Sequence, residues 1–371
     1  MAPHPDTAEL IGSWLGHHDV PTSLVSISHG GCWLTLSGVP VAQADALLGA
    51  SYRLYRHTET NETVLRTISY ALPAVLHEHV QTVAPTTYFG SPRALRQTSR
   101  LVPDGPTLSK GDLELQNAST DALDSGTSLP VPASCSRTIT PRCLRRLYKT
   151  ERYVPRVPGK NKLGITGYLG ESASQSDLKV FMTLFRPRAV GARFSVKSIN
   201  GGINNQSNPG SEVRTCYPQG CMSLRHVIPQ ANLDVQYAGS ISYPTPNAYY
   251  ITDGKPPFKS DSFTSTNTNE PYLDWLKFIL DQWTIPQTIS TSYGDDEQTV
   301  PPDYAKSVCD LFAQLGARGV SLLFSSGDYG VGGGSCRSND GASRRKFIPV
   351  FPASCGLFFL SFSRINYTRF T

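Results

Sequence analysis

The stretch GVSLLFSSGDYGVGG, residues 319–333, decides the predicted fold. Its apolar part, residues 320–326, has the composition of a buried β-strand and stops abruptly at Ser-Gly-Asp. The preceding residues 301–316 have helical spacing, with proline near the start and glycine near the end. A helix that leads directly into a strongly apolar strand is typical of an α/β unit with a parallel sheet.

The same alternation extends over residues 135–371. We predict strands over 163–169, 194–200, 287–293 and 320–326, and helices over 176–185, 270–282 and 301–316. The segment 232–238 fits either a strand or the start of a helix. The pattern therefore predicts an α/β domain with a parallel, doubly wound sheet flanked by helices, whose functional groups gather at the carboxyl ends of the strands. Asp328 lies at one such end.

The N-terminal part of the chain has a different organisation. Residues 1–95 are predicted to form a small α+β domain, with helices over 8–17, 41–48 and 74–83 and strands over 24–36 and 63–70. Residues 96–134 are rich in Ser, Thr, Pro, Gly and Asp, which is typical of an exposed linker.

Composition excludes several classes of protein. The net charge of +5 is scattered, and we interpret the cluster of Arg142, Arg145 and Arg146 as solvated surface because it lacks the pattern of a nucleic-acid module. No apolar run reaches the ~18 residues of a transmembrane helix. The eight cysteines form no CxxC pair, so we expect no zinc ribbon or redox dithiol. Cys216, Cys221 and His226 lack the second histidine of a metal site, and Cys135 and Cys143 can close a small disulfide loop.

The supply of proton acceptors restricts the chemistry of residues 135–371. His226 is their only histidine, so a hydrolytic serine would pass its proton to a carboxylate, which suits acidic conditions. Asp234, between apolar residues, and Asp328, between glycines, are the candidates. From the residues alone, Asp234 is equally a buried helix-capping carboxylate, and Asp328 is equally an ordinary turn residue.

Several stretches resemble the sedolisin family of serine-carboxyl peptidases, in particular its fungal tripeptidyl-peptidase-like members. The matching stretches are ANLDVQYAGSISYPTP (231–246), STSYGDDEQTVP (290–301), GVSLLFSSGDYGVGG (319–333) and FPASC (351–355). Residues 29–48 and 68–90 resemble the activation propeptide of that family. The resemblance implies a subtilisin-like fold with a catalytic triad of Glu, Asp and Ser. It also implies a further Asp that stabilises the oxyanion of the reaction. Asp234 matches the Asp of the triad, and Asp328 matches the oxyanion Asp.

The Glu of the triad is displaced. The family pattern is Glu-Ala-Asn-Leu-Asp, whereas this chain reads Gln230-Ala-Asn-Leu-Asp234. Glu212 follows a stretch that fits the family's lead-in, and deleting residues 213–230 restores the pattern. Our hypothesis is that 213–230 is a translated intron, with a genuine loop insertion as the alternative. Glu212 is then the catalytic base.

The C-terminal residues 356–371 resemble nothing in the family pattern. The serine nucleophile has no counterpart in this chain, and neither has the calcium loop that the resemblance implies for the full-length family. We therefore expect a chain truncated at both ends that lacks turnover by itself.

The resemblance implies a secreted, monomeric peptidase that cleaves proteins or peptides at acidic pH, as an endopeptidase or a tripeptidyl peptidase, and is inhibited by its own propeptide. It implies no nucleic-acid or membrane partner, although no signal peptide is visible. Two alternatives stay open. One is a non-catalytic pseudopeptidase or propeptide-type inhibitor. The other is a nucleotide-binding α/β enzyme, against which the glycines of residues 330–334 argue, because they lack the dinucleotide spacing.

Overall fold

The structure is a computed structural model, and its description covers only part of the chain. The described residues are 3–28, 31, 33–56, 63–87, 130–136, 138–206, 230–262, 264, 267–327, 336–356 and the backbone of 361–362. They belong to two compact units. The first unit comprises Met1–Arg96, Gly254–Ile285 and Tyr293–Thr371, and the second comprises Gln97–Asp253 and Pro286–Ser292.

The N-terminal part of the first unit is a small α+β fold. It consists of α1 (Thr7–His17), β1 (Val25–Ile27), β2 (Leu34–Leu36), α2 (Val41–Leu48), β3 (Arg53–Arg56) and β4 (Thr63–Arg66). Strand β1 pairs antiparallel with β2, and β3 pairs antiparallel with β4. The buried side chains of Leu15, Val20, Leu47 and Leu48 form a core of their own. The predicted α+β character of this region is therefore confirmed.

Two local predictions in this region were wrong, and one strand was missed. Residues 24–36 form two antiparallel strands instead of one, and the predicted helix over 74–83 is only a 3₁₀ turn over Ala74–Leu76. Strand β3 was not predicted, because RLYR carries charge at both ends. The segment after Pro73 makes too few buried contacts to stabilise a helix, since only Leu76 of the turn is buried.

The second unit contains a parallel sheet flanked by helices. Its elements are α3 (Pro141–Leu147), β5 (Leu163–Gly167), α4 (Gln175–Phe185), β6 (Phe194–Ile199), α5 (Gln230–Ser242), β7 (Asn247–Thr252) and β8 (Thr288–Thr291). The strand order is β8-β5-β7-β6, and every pairing is parallel. All six residues of β7 are buried, as expected of a strand covered on both faces. The predicted parallel α/β architecture is confirmed here.

Helix α5 resolves the ambiguous segment 232–238. Asn232 lies near its start, and its Oδ1 accepts a hydrogen bond of 2.7 Å from the backbone N–H of Ser174. Its Nδ2 donates to Asp177 Oδ2 at 2.9 Å. Ser174 caps α4 by accepting from the backbone N–H of Asp177 at 3.2 Å. One buried amide therefore joins the starts of two helices that cover the sheet.

The remainder of the first unit is packed around aromatic side chains. Its elements are α6 (Tyr272–Leu280), β9 (Asp295–Asp296), α7 (Pro302–Ala317), β10 (Ser321–Ser325), β11 (Val350–Phe351) and β12 (Ser361–Phe362). Strand β10 runs parallel to β12, and β9 pairs antiparallel with β11. Phe312 of α7 contacts three aromatic rings, those of Tyr272, Trp275 and Phe324. These contacts explain why the predicted helix 301–316 and strand 320–326 form next to each other.

Two disulfides are present among the described cysteines. Cys135 bonds to Cys143, as the sequence predicts, and Cys309 of α7 bonds to Cys355, a pairing that the sequence did not indicate. Cys336 is free and exposed. Among the described helices, none is long and apolar enough to cross a bilayer.

Candidate active site

Helix α5 places Asp234 next to Gln230, with one oxygen of its carboxyl group, Oδ2, buried. The two residues are four apart and therefore lie on the same face of the helix. Gln230 Nε2 donates a hydrogen bond of 2.8 Å to Asp234 Oδ1. Gln230 is itself buried, so this amide holds one oxygen of the carboxyl group in a fixed direction.

A second carboxyl group, Glu171, lies at the start of α5. Glu171 follows β5 by four residues, and its Oε2 accepts a hydrogen bond of 3.0 Å from the backbone N–H of Ala231. The first N–H groups of a helix have no partner within the helix and carry partial positive charge, so this position favours an anion. The backbone carbonyl of Glu171 accepts a hydrogen bond of 2.8 Å from the Tyr249 hydroxyl.

The electrostatic surroundings of Asp234 favour its protonated form. Burial, with a smaller contribution from the negative charge of Glu171, raises the pKa of Asp234 to about 7, although hydrogen bonds from Ser292 and Gln230 act to lower it. Ser292 follows directly after β8. Asp234 is thus protonated under acidic conditions and ionises near neutral pH, which is the range in which a carboxyl group can exchange a proton during a reaction.

Gly167, the last residue of β5, leaves room for the phenol of Tyr249. A Cβ at Gly167 would lie 1.8 Å from the Tyr249 hydroxyl oxygen and 2.3 Å from Cζ. Burial raises the pKa of Tyr249 well above its ordinary value, with further contributions from the charges of Glu171 and Asp234. The phenol therefore stays a neutral hydrogen-bond donor that fixes the loop carrying Glu171.

Comparison with known proteins finds similar sequences. Residues 1–89 match the family described as "Pro-kumamolisin, activation domain". The chain is 35% identical over 362 residues to "Tripeptidyl-peptidase SED2" of Arthroderma otae, which covers 96% of this chain and 54% of that protein. It is 36% identical over 361 residues to "Probable tripeptidyl-peptidase SED3" of Arthroderma benhamiae, with the same coverage. "Tripeptidyl-peptidase SED4" of Arthroderma otae is 36% identical and is covered to 53% of its length.

The chain is homologous to the fungal tripeptidyl-peptidases of the sedolisin family. The resemblance found in the motifs therefore extends over nearly the whole chain. The chain spans about half the length of the curated relatives it matches.

The three site residues expected from the sedolisin motifs have different outcomes. Asp234 is described and lies in α5, where it accepts hydrogen bonds from Gln230 and Ser292, and its catalytic role stays a prediction. Glu212 and Asp328 lie outside the described residues, so their roles stay predictions. Gly327, just before Asp328, has a φ of +79°, and a Cβ there would lie 2.9 Å from Val350 Cγ2. Glycine is thus required at this turn.

Sequence reasoning did not single out Glu171 or Ser292. Both follow the carboxyl end of a sheet strand, β5 and β8 respectively, so the rule that located Asp328 would also have selected them. Gln230 was recognised only as a residue that cannot act as a base, and the structure adds that it donates to Asp234. Within the described ranges, no group of three or more His, Cys, Asp or Glu side chains could hold a metal ion, so calcium remains an expectation from the sedolisin family.

Proposed function

We propose that residues 135–371 belong to a serine-carboxyl peptidase domain that acts on protein or peptide substrates under acidic conditions. The single observation that supports this most is the half-buried pair of Asp234 and Glu171 at the carboxyl ends of a parallel sheet. Among the described residues, no histidine takes part in this group, so a carboxyl group replaces imidazole as the proton carrier.

Each residue has a defined role in this proposal. Asp234 holds and polarises the catalytic base, which is Glu212 once it adjoins Ala231. Asp328 is protonated at acidic pH and donates a hydrogen bond to the oxyanion that develops on the scissile carbonyl. Glu171 and Gln230 position the Asp234 side chain and the first turn of α5.

We propose further that this chain has no turnover by itself. The family's nucleophile motif has no counterpart in the 371 residues, and a triad without its nucleophile loses nearly all activity. Purified chain is assayed between about pH 3 and pH 6 on tripeptide anilides and on a protein substrate. We expect no hydrolysis above the buffer rate. If the chain hydrolyses substrate and Asp234→Asn abolishes that activity, the claim that the nucleophile is missing is wrong. If the activity is unchanged in this variant, Asp234 does not have the proposed role.

Whether Glu212 belongs to the Asp234 site can be tested without measuring any enzymatic activity. Deleting residues 213–230 places Glu212 directly before Ala231, four positions before Asp234. Glu212 then joins Glu171 and Asp234 at the start of α5, and we expect the Asp234 signal to show a further titration step that is coupled to Glu212. A matched deletion that replaces Glu212 with Gln should lack this further step. Identical titrations of both deletions would exclude Glu212 from the site.

A second function, inhibition of a related peptidase, is supported by the N-terminal fold. Residues 1–89 match an activation domain, and inside the first unit they contact α6 and α7. Gln81 Nε2 donates to Asp310 Oδ2 at 3.3 Å, and the Lys277 ammonium lies 4.0 Å from the centroid of the Trp33 ring. We expect the whole chain to inhibit Tripeptidyl-peptidase SED2 of Arthroderma otae. Activity of that peptidase unchanged by excess chain would refute this function.

We also propose secretion, since the two disulfides are typical of oxidising compartments. Detection of the two bonds in protein recovered from culture medium, by mass spectrometry without reduction, tests this. Recovery of the chain only from reducing cell extract, with free thiols, would contradict it.

A further inference from the structure

Helices α6 and α7 of the first unit form a rigid pair whose outer side chains contact the N-terminal fold. The ring of Phe312 in α7 lies 6.2 Å from the ring of Tyr272 and 6.1 Å from that of Trp275, both in α6, measured between centroids. All three side chains are almost fully buried. Side chains on the outer surface of the two helices therefore keep fixed positions relative to one another.

The first contact joins Trp33 to Lys277 of α6. The Lys277 ammonium lies 4.0 Å from the centroid of the Trp33 ring. Trp33 is held in place by Ser28, whose Oγ accepts a hydrogen bond of 3.2 Å from the Trp33 backbone N–H and whose own N–H donates to the Trp33 carbonyl at 2.9 Å. Burial lowers the pKa of Lys277, although the charge of Asp274 acts to raise it. The ammonium is thus partly shielded from water, where a cation–π contact is strongest.

The second contact joins Gln81 to two residues of α7. Gln81 Nε2 donates to Asp310 Oδ2 at 3.3 Å, and Gln81 Oε1 accepts from the Ser307 hydroxyl at 3.4 Å. Ser307 and Asp310 are three residues apart and therefore lie on the same face of the helix. The Lys306 ammonium also binds Asp310 Oδ2, at 2.8 Å. A primary amide fits this pair because it has both a donor and an acceptor.

The two contacts together require a particular pattern on the helix pair. The Trp33 ring favours a cation at its position on α6, whereas an acidic residue there would be repelled by the face of the ring. The Gln81 amide needs a hydroxyl donor and a carboxylate acceptor three residues apart on α7. Both contacts are polar, so they distinguish between partners by complementarity more than by buried area.

We propose that Trp33 and Gln81 are specificity-determining residues with which the activation domain, residues 1–89, recognises the α6–α7 surface of a peptidase domain. The partner that fits carries a lysine on the first helix and a Ser-x-x-Asp pair on the second, as the chain's own α6 and α7 do. This inference rests on the proposed inhibitory role of residues 1–89 and names the surface to which they bind.

Dissociation of the activation domain from the whole chain tests the proposal. A recognition sequence for a site-specific protease is inserted after Asp104, in the predicted linker, and the purified chain is cleaved there. Size-exclusion chromatography at decreasing concentrations gives the Kd between the two parts, and their dissociation rate is compared where they stay together at the lowest concentration. We expect the two parts to elute together. Trp33→Leu and Gln81→Glu should each weaken the association about 10-fold.

A compensating substitution separates recognition from misfolding. Gln81→Glu places a carboxylate against that of Asp310, whereas in Gln81→Glu/Asp310→Asn the amide and the carboxylate have exchanged places. The double variant should therefore bind within about 3-fold of the natural chain. Glu9→Gln is the control, because Glu9 is exposed on α1, and it should leave the association unchanged.

Two outcomes would overturn the proposal. One is equal association in the natural chain and in the Trp33→Leu and Gln81→Glu variants. The other is a Gln81→Glu defect that Asp310→Asn does not relieve. The inhibitory function is judged separately: if association follows the predictions but excess chain leaves Tripeptidyl-peptidase SED2 of Arthroderma otae active, inhibition is wrong and the recognition surface stands.

Discussion

Asp234 and Arg186 belong to the second unit, and each is partly buried beside groups of like charge. The consequences differ because the two kinds of group titrate differently. The pKa of Asp234 rises to about 7, so this carboxyl group can become neutral within the ordinary pH range. The pKa of Arg186 falls only to about 10, so the guanidinium stays charged. Burial of a carboxyl group can therefore create a proton carrier, whereas burial of an arginine leaves a fixed charge.

The largest expected effect concerns the support of the carboxyl site. Gly167→Ala places a methyl group into the Tyr249 phenol, so we expect a loss of at least about 4 kcal/mol in the free energy of unfolding. Urea denaturation measures this loss. Gly191→Ala is the control, because nothing lies within 4 Å of a Cβ at that position. Similar stability of the two variants would mean that Tyr249 does not occupy the space above Gly167.

The effect of Asp234→Asn on stability should depend on pH, unlike the effect of substitutions at arginine. The folded-state pKa of Asp234 lies above its unfolded value, so the charged form destabilises the fold as pH rises from about 4 to 7. The amide removes this cost, and we expect the variant to gain about 2–3 kcal/mol relative to the natural chain at pH 8 and almost nothing at pH 4. Exposed Asp281→Asn is the control. A gain that is equal at both pH values would contradict the account.

Arg145→Gln provides the contrasting result for a buried arginine of the same unit. This change removes the donor to the carbonyls of Thr150 and Glu151, and we expect a loss of about 1–2 kcal/mol. Because the guanidinium stays charged throughout, the loss should be the same at pH 5 and at pH 8. Urea denaturation at pH 5 and at pH 8 measures the loss in the free energy of unfolding. A loss at only one of the two pH values would show that the charge of Arg145 changes between them.

The smallest effect concerns the Tyr249 hydroxyl. Tyr249→Phe keeps the ring in the core but removes the hydrogen bond to the carbonyl of Glu171. We expect a loss of about 1 kcal/mol, and a lower pKa of Asp234 if the loop carrying Glu171 moves away. Tyr250→Phe, on the neighbouring residue of β7, is the matched control. Unchanged stability and titration would show that this hydrogen bond does not hold the loop.

Local patterns predicted most elements of the parallel sheet and its helices. The apolar segment 163–169 and the helix 301–316 were located within about two residues, because burial and helix-end signals coincide there. Strand β7 was missed, since NAYYIT directly follows two prolines and lacks the alternation of a half-buried strand. The pairing of Cys309 with Cys355 depends on tertiary packing, which spacing alone does not report.

The candidate site was predictable in part. Asp234 was selected from its apolar flanks and from the family motif, and the structure places it in a buried polar group. Glu171 and Ser292 come to it from β5 and β8, which are far apart in the sequence. Only the register of the parallel strands brings such residues together, and that register, Ile165 opposite Ser290, is a property of the fold.

The most direct test of the central claim is a carbon-13 NMR titration of the aspartate carboxyl groups of the whole chain between about pH 3 and pH 9. We predict one aspartate signal with a pKa near 7 that is absent from the Asp234→Asn variant. If every aspartate signal titrates below about pH 5, Asp234 is an ordinary carboxylate, and the account of Asp234 as a carboxyl group tuned to polarise the base is wrong.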